Sequence, residues 1–287
     1  MVTNRLGTKP PQGQSQRIDS VGIDIMALQL NKDTKTDPGS PEQGRILSEA
    51  IERLEKVRTS TVINQVKRWT STQSVNIDIG LMRYQQEAAD DTVVDAFRHA
   101  ATAGSLHWTA RTEPAHSNER LTLTSWSWVI AFGSVEERKN LSLVPAERFA
   151  KRDDKDYAET RALLRVLQGY LATGALDLKA ADAVIATAGK KKASHADVKV
   201  AKPYAQGLIA LVQGKADEWN AAMEVLVKDH EHEAFRGELV DLPNGYMAAI
   251  PLSLLRLGLE RGLVCTIKSL HLPVRLVEQA WKLSVSG

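Results

Sequence analysis

The chain has 287 residues, 43% of them hydrophobic and 25% charged, ordinary values that exclude collagen-like, mucin-like and wholly disordered classes. At roughly 100–200 residues per domain, this length allows one large domain or two small ones. Lys+Arg 37 against Asp+Glu 35 leaves a formal charge of +2, too near balance to point to a nucleic acid or another polyanion.

Residues 1–44 hold two polar, turn-rich tracts, Lys9 to Gln16 and Asp37 to Pro41, around a short amphipathic island at 21–30. That composition buries too little surface to offset the entropy of ordering, so the segment is expected to be a mobile leader. Its first apolar cluster, Val21 to Leu28, carries Asp24 and follows a proline-containing polar stretch, unlike a secretory signal. The cytoplasm is the expected location.

From Ile46 the pattern changes. Ile46, Leu47, Ala50, Ile51, Leu54 and Val57 recur at steps of three and four, a helical stripe, and Ala89, Val93, Ala96, Phe97 and Ala100 draw a second one before Gly104. Over 105–132 the period is ambiguous. Leu121, Leu123, Trp126, Trp128 and Ile130 alternate as in a strand, yet Trp126 to Phe132 is equally consistent with a buried helix. Beyond Arg152 the stripes are regular, with Leu163, Val166, Leu167, Tyr170 and Leu171 closed by Gly174, then Leu178, Ala181, Ile185 and Ala188 closed by Gly189. After Lys190-Lys191-Lys192 comes a cleaner pair. Ala201, Tyr204, Ala205, Leu208, Ile209 and Val212 end at Gly214, Asp217 is a candidate cap, and Trp219, Ala222, Met223, Leu226 and Val227 follow. Equivalent positions such as Leu163 and Leu208 stand about 45 residues apart, near the range of helical-repeat units. Tyr246 to Gly262 reads as a strongly apolar helix entered near Pro251, Val264 to Ile267 as a short extended piece, and Pro273 as the opening of a last helix. The expected fold is all-α, a single helical domain over 45–287 built of stacked antiparallel hairpins. The longest nearly uncharged stretch, Gly245 to Leu255, stops at Arg256, well short of the roughly 20 residues that span a bilayer, so no membrane partner is expected.

Motifs of catalysis are sparse. In His230-Glu231-His232-Glu233 the histidines stand two apart, whereas a helical zinc site needs them four apart on one face. A structural His230 on the stripe of Trp219, Met223 and Val227, with His232 in solvent, is favoured over a metal or switch site. No Gly-x-Ser-x-Gly elbow is present, and Cys265, the one cysteine, sits in an apolar run as a small buried hydrophobe would. Gly189-Lys190 and Gly214-Lys215 lack the rest of a phosphate loop. Carboxylate groups such as Asp153-Asp154, Glu87-Asp90-Asp91 and Asp229-Glu231-Glu233 read as solvated helix faces. Trp108, Trp126 and Trp128 are either core or an exposed anchor cluster, with core favoured.

The stretch Ala248 to Leu263, an apolar helix closed by Arg261-Gly262, followed by Ser269 and by Leu272-Pro273 opening the last helix, resembles the end of the bacterial immunity protein 49 family. Trp128 to Phe132 with Glu136 to Leu141, Tyr157 to Gly169, and the Ala205 to Val227 hairpin with its Gly-Lys-Ala-Asp turn resemble earlier parts of that family in the same order, over roughly 85–280. His271 stands where an aromatic such as tyrosine would be expected. The resemblance implies an all-α protein, not an enzyme, that protects its own cell by binding a cognate toxin of a polymorphic or contact-dependent system. It implies no catalytic residue, cofactor, metal or nucleic acid, only a rigid complementary surface. For a basic nuclease toxin, the acidic Asp229, Glu231 and Glu233 are the first expected contacts. The alternatives are a helical-repeat scaffold for another protein, and a metal-dependent enzyme using His230 and His232.

Overall fold

A computed structural model describes residues 41–59, 65–110, 119–145, 158–188, 197–240 and 242–285. Among them are eleven α-helices and no strand, so the fold is all-α as the stripes predict. In chain order they are α1 (Pro41–Thr59), α2 (Gln65–Gln85), α3 (Asp90–Ala110), α4 (Glu119–Phe132), α5 (Val135–Ser142), α6 (Ala158–Thr173), α7 (Leu178–Ala188), α8 (Lys202–Val212), α9 (Ala216–Arg236), α10 (Ala249–Glu260) and α11 (Val274–Val285). A π-helical turn, Asp197–Ala201, leads into α8, and a 3-10 turn, Pro243–Gly245, precedes α10. The leader up to Ser40, Asp153-Asp154, Gly189 and Lys190-Lys191-Lys192 lie outside the described residues. The first helix opens at Pro41, inside the stretch read as leader.

Short connections fold consecutive helices back on one another: α2 on α3 through 86–89, α6 on α7 through 174–177, and α8 on α9 through 213–215. Gly174 and Gly214 close their helices at φ +71° and +69°, the left-handed conformation that a side chain resists. The run α6 to α9 is the expected series of hairpins, each helix packed on the next. It does not stand alone, because α10 packs on α4, α8, α9 and α11 at once. Every residue from Pro251 to Leu259 is buried, and so is every residue from Trp126 to Phe132 on α4. A helix enclosed on all sides has no polar face and therefore no stripe, which is why 105–132 cannot be read from its period. The ambiguity resolves as helix, and Trp108, Trp126 and Trp128 are core, at 2%, 0% and 1% exposure.

Several boundaries differ from the sequence reading. Gly104 does not end a helix. It lies inside α3, where an added Cβ would meet Gln73 of α2 and Val129 of α4. Asp217 is a first-turn residue of α9 and not its cap, which falls at Lys215. Pro251 sits within the first turn of α10, where a missing N–H costs nothing. Residues 263–269 have no regular secondary structure.

Two expectations test this packing. A Cβ on Gly258 would run into the indole of the fully buried Trp219. Gly→Ala in an exposed helix gains about 1 kcal/mol, whereas here the overpacking should reverse the sign, and Gly258→Ala is expected to cost about 1–3 kcal/mol in urea unfolding. The second concerns Asp78 on α2. Burial pushes its carboxyl up from 3.8 to about 7, against the pull of Arg53 on α1. The folded state therefore holds a proton that the unfolded chain has lost. This contribution is fully present below 3.8 and disappears as the pH rises toward 7. Asp78→Asn should lack this component, so the stability difference between variant and wild type should grow over that window.

Candidate partner-binding surface

The acidic residues that the sequence nominates all lie on α9, which buries Trp219, Met223, Leu226 and Val227 inward. Beside it runs the segment from Leu263 to His271, whose residues are alternately half-buried and exposed, the period of an extended chain. Among the described residues no strand pairs with it. The carboxamide of Asn220 takes that place instead: Nδ2 donates to the Val264 carbonyl at 3.0 Å, and the Thr266 N–H donates to Oδ1 at 2.9 Å. Cys265 in this segment is half-buried, and burial pushes its thiol pKa up, so it stays a protonated small hydrophobe. Between α9 and residues 266–269 lies a groove of about 450 Å³, lined by Asp217, Asn220, Glu224, Lys228, Glu231 and Lys268.

At the far end of this groove the backbone makes a tight turn whose polar groups are tied from several directions. Ser269 Oγ donates to Glu231 Oε1 at 2.7 Å and accepts from the His271 N–H at 3.1 Å. The Leu272 N–H returns to the Ser269 carbonyl, and the His271 carbonyl accepts from the Ala248 N–H at 2.9 Å. From α2, the Tyr84 hydroxyl donates to the Leu270 carbonyl at 2.9 Å, and Arg275, bonded to Asp90, covers the Tyr84 ring at 5.9 Å. On this fixed turn the Leu270 side chain is 84% exposed. Phe235, at 70% exposure, stands edge-on to the next ring, His271, at 5.5 Å. A lone exposed leucine needs no explanation, but Leu270 on its pinned turn and Phe235 on the last turn of α9, joined through His271, are two large apolar side chains already ordered for contact.

The nominated carboxylates do not share one face. Residues two apart on a helix point to opposite sides, and the structure separates them accordingly. Glu231 faces the groove and holds Ser269. Asp229 lines a second cleft, of about 240 Å³, with Arg120, His230, Glu238 and Asn244. Glu233 closes the end of its own helix by accepting the Glu238 N–H at 3.0 Å. The histidines part in the same way. His230 Nε2 donates to the Gly245 carbonyl at 3.1 Å, and burial together with His271, whose ring lies 5.4 Å away, pushes its pKa down to about 4. His232 is exposed. Among the described residues no three His, Cys, Asp or Glu side chains gather as metal ligands, and no helix is long and apolar enough to cross a membrane.

No protein-family model, curated protein or solved structure matches this chain. The surface therefore speaks through its own residues. Those that build it, Asn220, Phe235, Leu270 and Tyr84, are not singled out by the sequence reading. Phe235 carries the one available signal, a large aromatic lying off the apolar stripe of its helix.

Proposed function

We propose that this chain is an immunity protein that binds a cognate bacterial toxin in the cytoplasm and neutralises it by direct contact, with no chemistry of its own. The observation that carries this reading is the apolar pair of Leu270, held on a hydrogen-bonded turn beside Glu231, and Phe235, on the end of α9 against the ring of His271. Binding energy at interfaces concentrates in a few side chains set in surroundings that exclude water. Neutralisation of a toxin asks for such a surface on a rigid body, and the enclosed α4 and α10 supply the rigidity. The motifs that resemble the immunity family also agree with the elements described: α10 ends at Arg261-Gly262, Ser269 anchors the turn, and Pro273 immediately precedes α11.

The test is growth of cells expressing the toxin encoded beside this gene, with and without this chain, followed by co-purification. Rescue with a stable complex is the expected result. An active toxin that is neither bound nor neutralised would overturn the reading, and a stable complex without rescue would make the chain a scaffold.

A further inference from the structure

The chain ahead of α1 is delivered close to the exposed pair of Leu270 and Phe235. Ile46, on the second turn of α1, packs with Met82 of α2 and Tyr246 beside the 3-10 turn. Each of these is two positions from a group that holds the exposed turn: Tyr84, whose hydroxyl donates to the Leu270 carbonyl, and Ala248, whose N–H donates to the His271 carbonyl. Residues two apart on a helix face opposite sides, so Leu270 lies across the end of α2 from Ile46, one helix diameter of roughly 10–12 Å and one tyrosine side chain away. Ahead of α1, and outside the described residues, the amphipathic island at 21–30 carries Val21, Ile23, Ile25, Met26, Leu28 and Leu30 with a single charge, Asp24. The eleven steps from Leu30 to Pro41 can span up to roughly 36 Å, longer than the path from the start of α1 to Leu270.

The surroundings of the pair have the matching chemistry. Arg236 follows Phe235 at the end of α9, and Lys268 precedes Leu270 by two residues on the same exposed edge of its extended segment. Neither cation has a bonded partner among the described residues, whereas Glu231 and Glu233 are occupied by Ser269 and by the Glu238 N–H. Two apolar side chains rimmed by unpaired cations suit an apolar segment with one negative charge, which is the composition of residues 21–30. A short covalent tether supplies an effective concentration on the order of 1 mM, so an intrinsic Kd of about 0.1 mM would give roughly nine-tenths occupancy.

We infer that residues 21–30 of the chain itself cover the Leu270–Phe235 pair in the free protein, with Asp24 among the cations of its rim, and that the toxin binds by displacing them. The cover keeps the two apolar side chains from non-specific contacts, and it lowers the apparent affinity for the toxin by the fraction of molecules that are covered. The displacement step rests on the reading of the chain as a toxin-binding protein; the cover itself is tested without the toxin.

The test compares the full chain with its Ile25→Ser/Leu28→Ser variant, which removes two apolar side chains of the island, adds no charge and leaves every described residue untouched. Backbone amide signals of Phe235, Leu270 and His271 are followed by nuclear magnetic resonance. They are expected to shift between the two proteins, and the acetylated and amidated peptide of residues 20–31, titrated into the variant, should return them saturably toward their wild-type positions. Asp24→Lys should shift them part of the way. In a Leu270→Asp background the double substitution should leave the Phe235 and His271 signals where they are. Signals that are the same in wild type and variant, or a peptide that does not move them, overturn the inference. Shifts that depend on protein concentration would put the island of a second copy on the pair and overturn the intramolecular cover. With the toxin, Ile25→Ser/Leu28→Ser should bind up to about tenfold more tightly than the wild type. Equal or weaker binding overturns the displacement. Toxin binding without the shifts overturns the cover while the immunity reading stands, and the shifts without toxin binding support the cover and overturn the immunity reading.

Discussion

Glu260→Gln is expected to lower stability by about 3–5 kcal/mol, read as a reduced urea midpoint with an unchanged slope. Glu260 ends α10 and accepts both terminal nitrogens of Arg138 from α5, at 2.7 and 2.8 Å, and Nε of Arg256 at 2.8 Å. Arg256 is fully buried, and its remaining nitrogens donate to the Ala131 carbonyl of α4 and the Ser284 hydroxyl of α11. One carboxylate thus joins four helices through two guanidinium groups. Burial alone would raise the carboxyl pKa, but the bonds and charges of Arg138 and Arg256 outweigh it and hold the group below the usual carboxylate range. The variant keeps the shape and removes the charge, leaving two buried cations that repel each other. The pH dependence has a definite sign. A depressed pKa contributes stability that is complete above the ordinary carboxylate range and lost as the pH falls through the folded value, and Glu260→Gln should lack that acid-side loss. A midpoint equal to that of the wild type at neutral pH would show that the charge does not stabilise the fold.

What the sequence reveals of this fold depends on how each helix is covered. α6, α8 and α9 keep a solvent face, so their stripes and their closing glycines at 174 and 214 are readable. α4 and α10 are enclosed and show continuous apolar runs, compatible with either period. α2 escapes the reading for the opposite reason. Its buried side includes Thr72, Gln73 and Asn76, and Gln73 is matched by Ser125, 52 residues away, which in turn accepts the Trp108 Nε1–H. A polar residue satisfied by a distant partner looks like a surface residue until the partner is in place. The surface follows the same logic. Acidic residues on α9 are visible in the string, but their separation by the helix, the clasp of Asn220 on residues 44 and 46 positions away, and the exposure of Leu270 depend on tertiary contacts.

Leu270→Asp is expected to weaken toxin binding by on the order of 30-fold to 1,000-fold and to abolish rescue, with stability unchanged within about 0.5 kcal/mol. The two effects separate because the side chain contributes almost nothing to the core, while the bonds that fix its turn use the backbone, Ser269 and Tyr84, none of which the variant touches. In the complex, aspartate would replace an apolar contact with a buried charge and bring it near Glu231. Phe235→Ala should fall between wild type and Leu270→Asp. Leu143→Asp, an equally drastic change at a 67% exposed position after α5, should bind as the wild type does. Tyr84→Phe isolates the value of order itself, since it keeps the ring and removes the bond to the Leu270 carbonyl. If the turn is ordered before the toxin arrives, this variant should lose several-fold in affinity with no contact removed. Leu270→Asp that co-purifies with the toxin as tightly as the wild type would place the interface elsewhere on the molecule.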